Sequence, residues 1–231
     1  MATHFVEVFL QYTTHTHYGE LEPVLAGMLV SESESVSSAG ARQSCVASLS
    51  SRKALKLARY CTSDSKSLRL GAAEVYSSNL TLSAYRSDCE EVLGILFADT
   101  ESEVRGEASR CFLDIDGSEL PSYQNLVVDF VNSPAFEANS DLLFPVLLKA
   151  PEEMDDIALE ASERALELVG VSTGDTTAAA AWTSTDIAQL IVRVYSRATD
   201  CFVRNRCLDI IDKMYLLESY GLEEVVAGFD R

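Results

Sequence analysis

The chain has 231 residues, 47% of them hydrophobic, enough for one ordinary domain or one short repeat array with a full core. Lys and Arg number 18 against 36 Asp and Glu, a formal charge of -18, which repels nucleic acid and anionic lipid surfaces. No apolar run reaches the roughly 18 residues of a membrane span, no basic-then-apolar leader opens the chain, and the six cysteines form no C-x-x-C pair, so they read as small buried hydrophobes of a cytoplasmic protein.

The predicted elements run as follows. Phe5, Val8, Phe9 and Tyr12 fall at i, i+3, i+4 and i+7, the stripe of an amphipathic helix over 4–17. A chain that opens almost inside a helix has the pattern of a piece cut from a longer protein, and that is the expectation here. Leu21, Val24, Leu25, Met28 and Leu29 carry the next stripe, with Pro23 expected in its first turn. The polar run Ser31–Ser35 predicts a turn before helices over 34–49 and 51–62. Asp64 or Ser65 is expected to cap a helix over 66–80. Helices over 84–98 and 101–115 follow, the second capped by Asp99 and stopped by Gly117.

Pro121 falls in the first turn of a helix over 120–131. Ser133 and Pro134 open a helix over 134–149, which Pro145 should kink. After Pro151 comes a helix over 152–169. Residues 170–183, GVSTGDTTAAAAWT, read as an irregular insertion. Helices resume over 184–198 and 200–218, with a last turn over 222–229. No strand pattern is present, so the fold class is all-α, with short connections that imply antiparallel helix pairs.

One frame recurs. Val36-x3-Gly40, Leu68-x3-Ala72-x3-Tyr76, Val104-x3-Ala108-x3-Phe112, Phe136-x3-Ser140-x3-Phe144 and Val203-x3-Cys207-x3-Ile211 align at offsets of 32, 36, 32 and 67 residues, the last being two periods. A period of this size is the signature of a solenoid. The small middle residue lets helices approach, and the larger flanking ones fill the interface. Three units add an acid in the turn and an Arg just inside the next helix: Asp64/Arg69, Asp99/Arg105 and Asp200/Arg204. An acid there meets the helix N-terminus, and the Arg can reach the turn acid of its own or a neighbouring pair. The pattern is that of a stacking ladder rather than an acid–base couple.

At these residues the chain resembles the HEAT-repeat family over most of 20–219, with a turn Asp, Val-Arg and a small residue four later. Ser37 and Glu137 depart from it, standing where the Arg belongs, and 152–183 yields no clean pair. The stretches Tyr12-x-x-His15-Thr-His17-Tyr18, Gly40-Ala41-Arg42-Gln43, Gly71-Ala-Ala-Glu74-Val-Tyr76 and Arg206-Cys-Leu-Asp209-Ile-Ile-Asp212-Lys-Met are similar to HEAT-like C-terminal regions of large bacterial ATP-binding proteins of the STAND/NACHT kind. The resemblance implies a single armadillo-like domain over 1–231, an α-α superhelix of roughly five to six helix pairs. In such a bacterial protein this part would be a recognition or scaffolding arm beside an NTPase.

Motifs for chemistry are few. No P-loop, dinucleotide fingerprint or nucleophile elbow occurs. His15 and His17, followed by Glu20, diverge on a helix as an i,i+2 pair does. The repeated His-Glu dipeptides of HEAT-like di-iron hydroxylases are missing. Glu152, Glu153, Asp155 and Asp156 open a helix, where acids meet the positive dipole end. The expectation is therefore a non-enzyme without catalytic residues, cofactor or metal.

Charge is unevenly spread. From Arg42 to Arg69 seven bases face one acid, a balance of +6, whereas Asp88 to Glu167 holds 20 acids and four bases, a balance of -16. Arg52, Lys56 and Arg59 follow i, i+4, i+7 with Lys53 beside them, which reads either as a solvated face or as a dock for an acidic peptide, phosphate or nucleic-acid backbone. Arg193, Arg197, Arg204 and Arg206 form a second, weaker basic region. Trp182 either anchors the irregular segment or serves as an exposed binding residue. Arg52, Lys53, Lys56, Arg59 and Trp182 are the expected partner-binding residues, and the expected function is protein–protein interaction or scaffolding. The alternatives are a nucleic-acid binder using the 42–69 face, against the net charge, or a HEAT-like enzyme such as a bilin lyase or glycosylase.

Overall fold

A computed structural model describes residues 18–29, 31, 33, 35–37, 39–40, 42–43, 64–82, 86–171 and 182–216. Of the interpretable residues 82% are helical and none lies in a strand, so the fold is all-α. The chain divides into two compact units, Met1–Cys111 and Phe112–Arg231. The expected helices over 4–17, 51–62 and 222–229 lie outside the described residues.

In the first unit, α1 (Tyr18–Leu29) begins upstream of Pro23. Pro23 thus lies inside the helix rather than in its first turn, where it offers no N–H to the carbonyl one turn back. Burial offsets that loss: Leu25 and Met28 pack with Ala39. Gly40 permits the approach, since a Cβ there would stand 2.8 Å from that of Met28. Next come α2 (Lys66–Asn79), α3 (Arg86–Leu96) and α4 (Ser102–Ser109), with α2 packed against both α3 and α4. The recurring frame is the buried side: Leu68, Ala72 and Tyr76 on α2, Val104 and Ala108 on α4. Ser65 stands at the N-cap of α2 in extended conformation but makes no side-chain cap bond. The helix expected to run to 115 ends its α-helical part at Ser109 and tightens into a 3-10 turn over Arg110–Leu113.

The second unit opens with a 3-10 segment, Gly117–Tyr123, capped by Asp116, whose carboxylate accepts the Ser118 N–H at 2.9 Å. Gly117 is therefore not the stop of the preceding helix. It is small because a Cβ there would lie 2.6 Å from the Val146 carbonyl oxygen. Helix α5 (Gln124–Val131) follows, then α6 (Pro134–Asn139), opened as expected by Ser133, whose hydroxyl accepts the Ala135 N–H at 3.2 Å.

The single kinked helix expected over 134–149 is three pieces: α6, a 3-10 turn Ser140–Leu142, and α7 (Phe144–Leu147). Pro145 lacks an N–H and crowds the carbonyl four back, and the ladder breaks there rather than bends. The 3-10 turn Glu152–Met154 leads into α8 (Asp155–Val171), and α9 (Ser184–Arg197) and α10 (Cys201–Leu216) complete the described chain. Helix α8 packs against α5, α9 and α10. An aromatic run threads this core: Phe112 to Phe130 at 4.7 Å, Phe130 to Phe136 at 5.7 Å, and Phe136 and Phe144 to Trp182 at 5.7 and 5.4 Å.

Candidate functional site

The turn acids and helix arginines come together as a ladder within the first unit. Arg69, one turn into α2, donates to the Asp64 carbonyl of its own turn at 3.0 Å. Its guanidinium also grips the Asp99 carboxylate thirty residues on, at 2.5 and 3.2 Å. Asp99 in turn accepts the Glu101 N–H at 2.9 Å, while Glu101 rather than Asp99 stands at the N-cap of α4. Arg105 donates to the backbone carbonyls of Asp99 and Thr100 at 2.7 and 3.1 Å. The carboxylate of Asp99, 5% exposed, is thus committed to one guanidinium and one backbone donor. The bond to Asp99, opposed by burial, raises the Arg69 pKa. The Arg69–Asp99 pair is nearly buried and its charges are mutually satisfied, which is the condition for structural rather than catalytic work.

The second basic region is also committed. Arg193 donates to the Leu147 carbonyl at 2.8 Å and to that of Ala150, while Arg197 binds the Ala150 and Pro151 carbonyls and the Asp155 carboxylate. Together the two guanidiniums tie down the backbone carbonyls of Leu147, Ala150 and Pro151, just past the end of α7. Burial, then the neighbouring Arg197, pulls the Arg193 pKa down. Arg204 donates to the Ala198 carbonyl at 2.8 Å and lies 5.3 Å from the Tyr195 ring centre. Arg206 pairs with Glu163 at 2.7 Å. Arg197 and Arg206 are thus paired with carboxylates, whereas Arg193 and Arg204 are held by backbone carbonyls.

The same holds for part of the 42–69 stretch. Arg42 pairs with Glu74 at 3.2 Å, Lys66 with Glu103 at 2.6 Å, and Arg69 with Asp99. The other four bases, Arg52, Lys53, Lys56 and Arg59, lie outside the described residues.

Trp182 resolves toward the anchor. It is 1% exposed, its indole N–H donates to the Ser140 carbonyl at 2.6 Å, and its ring stacks edge-on against Phe136 and Phe144. As seated, its ring is covered by Phe136 and Phe144. The physical reason is that a large apolar ring next to the broken helix both fills space and supplies a donor to a carbonyl there.

Among the described residues of the second unit, the following recesses stand open. One, of about 380 Å³, is lined by Glu152, Glu153, Asp155, Asp156, Asp200 and Val203, among others. It lies where the first turns of α8 and α10 meet, and Arg197 neutralises Asp155 within it. The other, also about 380 Å³, lies between residues 112–117 and 142–149, with Phe112, Leu142, Pro145 and Val146 as walls and Asp114, Asp116 and Lys149 at its rim. Leu113, beside it, is 59% exposed. Reading 101–115 as one continuous helix hides this second recess. The run Asp114-Ile-Asp116-Gly117, rich in turn-forming residues, is the signal that marks the break.

Among the described residues no group of three His, Cys, Asp or Glu side chains is placed to hold a metal ion, and no helix is long and apolar enough to cross a membrane. Comparison with known proteins finds no matching family model, no matching curated protein and no matching solved structure.

Proposed function

We propose that the chain is a non-enzymatic recognition or scaffolding module: a HEAT-like α-solenoid of roughly five to six helix pairs that binds a protein partner or the other domains of a larger parent polypeptide. The observation that carries this reading is the Arg69–Asp99 tie together with α2 packed on α4. Helices bearing the same frame one period apart lie side by side, and an arginine of one turn locks the acid of the next. That is how a repeat array propagates, each unit burying its neighbour's apolar face. Arrays of this kind offer extended ridged surface, which suits large partners better than small substrates.

The binding residues of the proposal are Arg52, Lys53, Lys56 and Arg59, which cluster in the basic stretch with Arg52, Lys56 and Arg59 at i, i+4 and i+7. With Arg42, Lys66 and Arg69 engaged by carboxylates, the stretch carries less charge for a phosphate backbone than its composition promises, and an acidic protein segment is the better match. The test is capture of partners by the intact chain and by the Arg52→Glu, Lys56→Glu, Arg59→Glu variant, with a heparin column run alongside. Loss of a captured protein in the variant supports the proposal. Salt-dependent retention of the wild type on heparin and DNA, with no protein captured, would replace it by the nucleic-acid reading.

A further inference from the structure

The recess between residues 112–117 and 142–149 has features that core packing does not use. Phe112 and Ile115 are buried, while Leu113 between them is 59% exposed at the opening. The floor is set by close approach: at Gly117 a Cβ would lie 2.6 Å from the Val146 carbonyl oxygen, so the turn and the α7 end meet there. The rim is fixed too, because the Asp116 carboxylate accepts both the N–H and the hydroxyl of Ser118, at 2.9 and 2.7 Å. A volume of about 380 Å³ is at the small end of ligand sites, with room for one large side chain and its backbone rather than a whole helix.

The rim charges are two carboxylates, Asp114 and Asp116, against the one ammonium of Lys149, within the stretch that carries a balance of -16. The bonds from Ser118, and then Lys149, hold the Asp116 carboxyl below the usual carboxylate range, so it stays charged.

We propose that this recess seats a single apolar side chain of a partner protein, with a Lys or Arg next to it in the partner's sequence paired to Asp114 and Asp116. The apolar walls supply the attraction that orders the anchor, and the rim selects the sign of its neighbours. The proposal rests on the partner-binding reading above and assigns it a second contact, of opposite charge preference to the basic stretch.

The test uses the full chain with methyl NMR, titrated with two capped tripeptides, Lys-Phe-Arg and Glu-Phe-Glu. The basic peptide is expected to shift the Leu113, Leu142 and Val146 methyls and to bind about tenfold more tightly than the acidic one at low salt. That preference should vanish in Asp114→Lys/Asp116→Lys. Leu113→Ser, at an exposed position, should weaken both peptides while Trp182 emission stays that of the folded protein. Equal binding of the two peptides, or no shift at these methyls with either, overturns the proposal. If a captured partner is lost on reversing Arg52, Lys56 and Arg59 but is indifferent to Leu113→Ser and to Asp114→Lys/Asp116→Lys, the scaffold reading stands and this anchor falls.

Discussion

At the scale of single residues, Asp99 ties the turn before α4 to α2. It is nearly buried, paired with Arg69, and bonded to the Glu101 N–H. Removing one partner of such a pair leaves a buried charge uncompensated, which costs more than the pair contributes when intact. Asp99→Ala should therefore destabilise the chain by about 2–4 kcal/mol, read as a lowered urea midpoint. Arg69→Met in the same chain should recover part of the loss, because the orphaned cation goes with it; strict additivity of the two would contradict the tie.

The cysteines make a second test at this scale. Burial pushes Cys89 up to about 12 and Cys207 up to about 11 from an ordinary 9.0. These thiols stay neutral in the folded chain at pH values where the unfolded chain loses their protons. Their contribution to stability is thus fully present below about pH 9 and is lost as pH rises through 11 to 12. Mass-mapped alkylation at pH 8 should label exposed Cys201 and spare Cys89, Cys111 and Cys207.

At the scale of elements, Trp182 is where the local pattern of the sequence and the fold part company. The caps at Ser133–Pro134 and the helices from 152 onward are legible because their signals lie within a turn of the residues they govern. Pro145 reads locally as a kink. The observed break over 140–143 also involves an indole 42 residues downstream that takes the Ser140 carbonyl, and spacing along the chain cannot reveal that. Gly117 is similar: a helix stop by local rule, a close-packing position by contact with Val146. Trp182→Phe keeps most of the ring contact and loses the N–H, and should cost about 1–2 kcal/mol. Trp182→Ala should cost about 3–5 kcal/mol through the cavity it leaves. Thermal unfolding by circular dichroism reads both; equal small losses would mean that the indole is not the anchor of its segment.

For the molecule as a whole, the frame with a small middle residue is the most legible feature, its occurrences lying 32, 36, 32 and 67 residues apart. In every described copy its middle position is buried: Gly40, Ala72, Ala108, Ser140 and Cys207. The surface is less legible. Composition shows a basic stretch and an acidic one, but which charges are used up internally depends on partners 30 to 43 residues away, as for Arg69 with Asp99, Arg197 with Asp155 and Arg206 with Glu163. Among the described residues Arg42, Lys66, Arg69, Arg197 and Arg206 are paired with carboxylates, which composition alone does not show.

The most direct measurement of the central claim is partner capture from the source lysate by the wild-type chain and by Arg52→Glu/Lys56→Glu/Arg59→Glu, at low and at 0.5 M salt (about a 4 Å screening length), with helicity monitored in both. The scaffold account predicts a protein captured by the wild type, weakened by salt, and lost in the variant at unchanged helicity. The same proteins retained by both chains would contradict it.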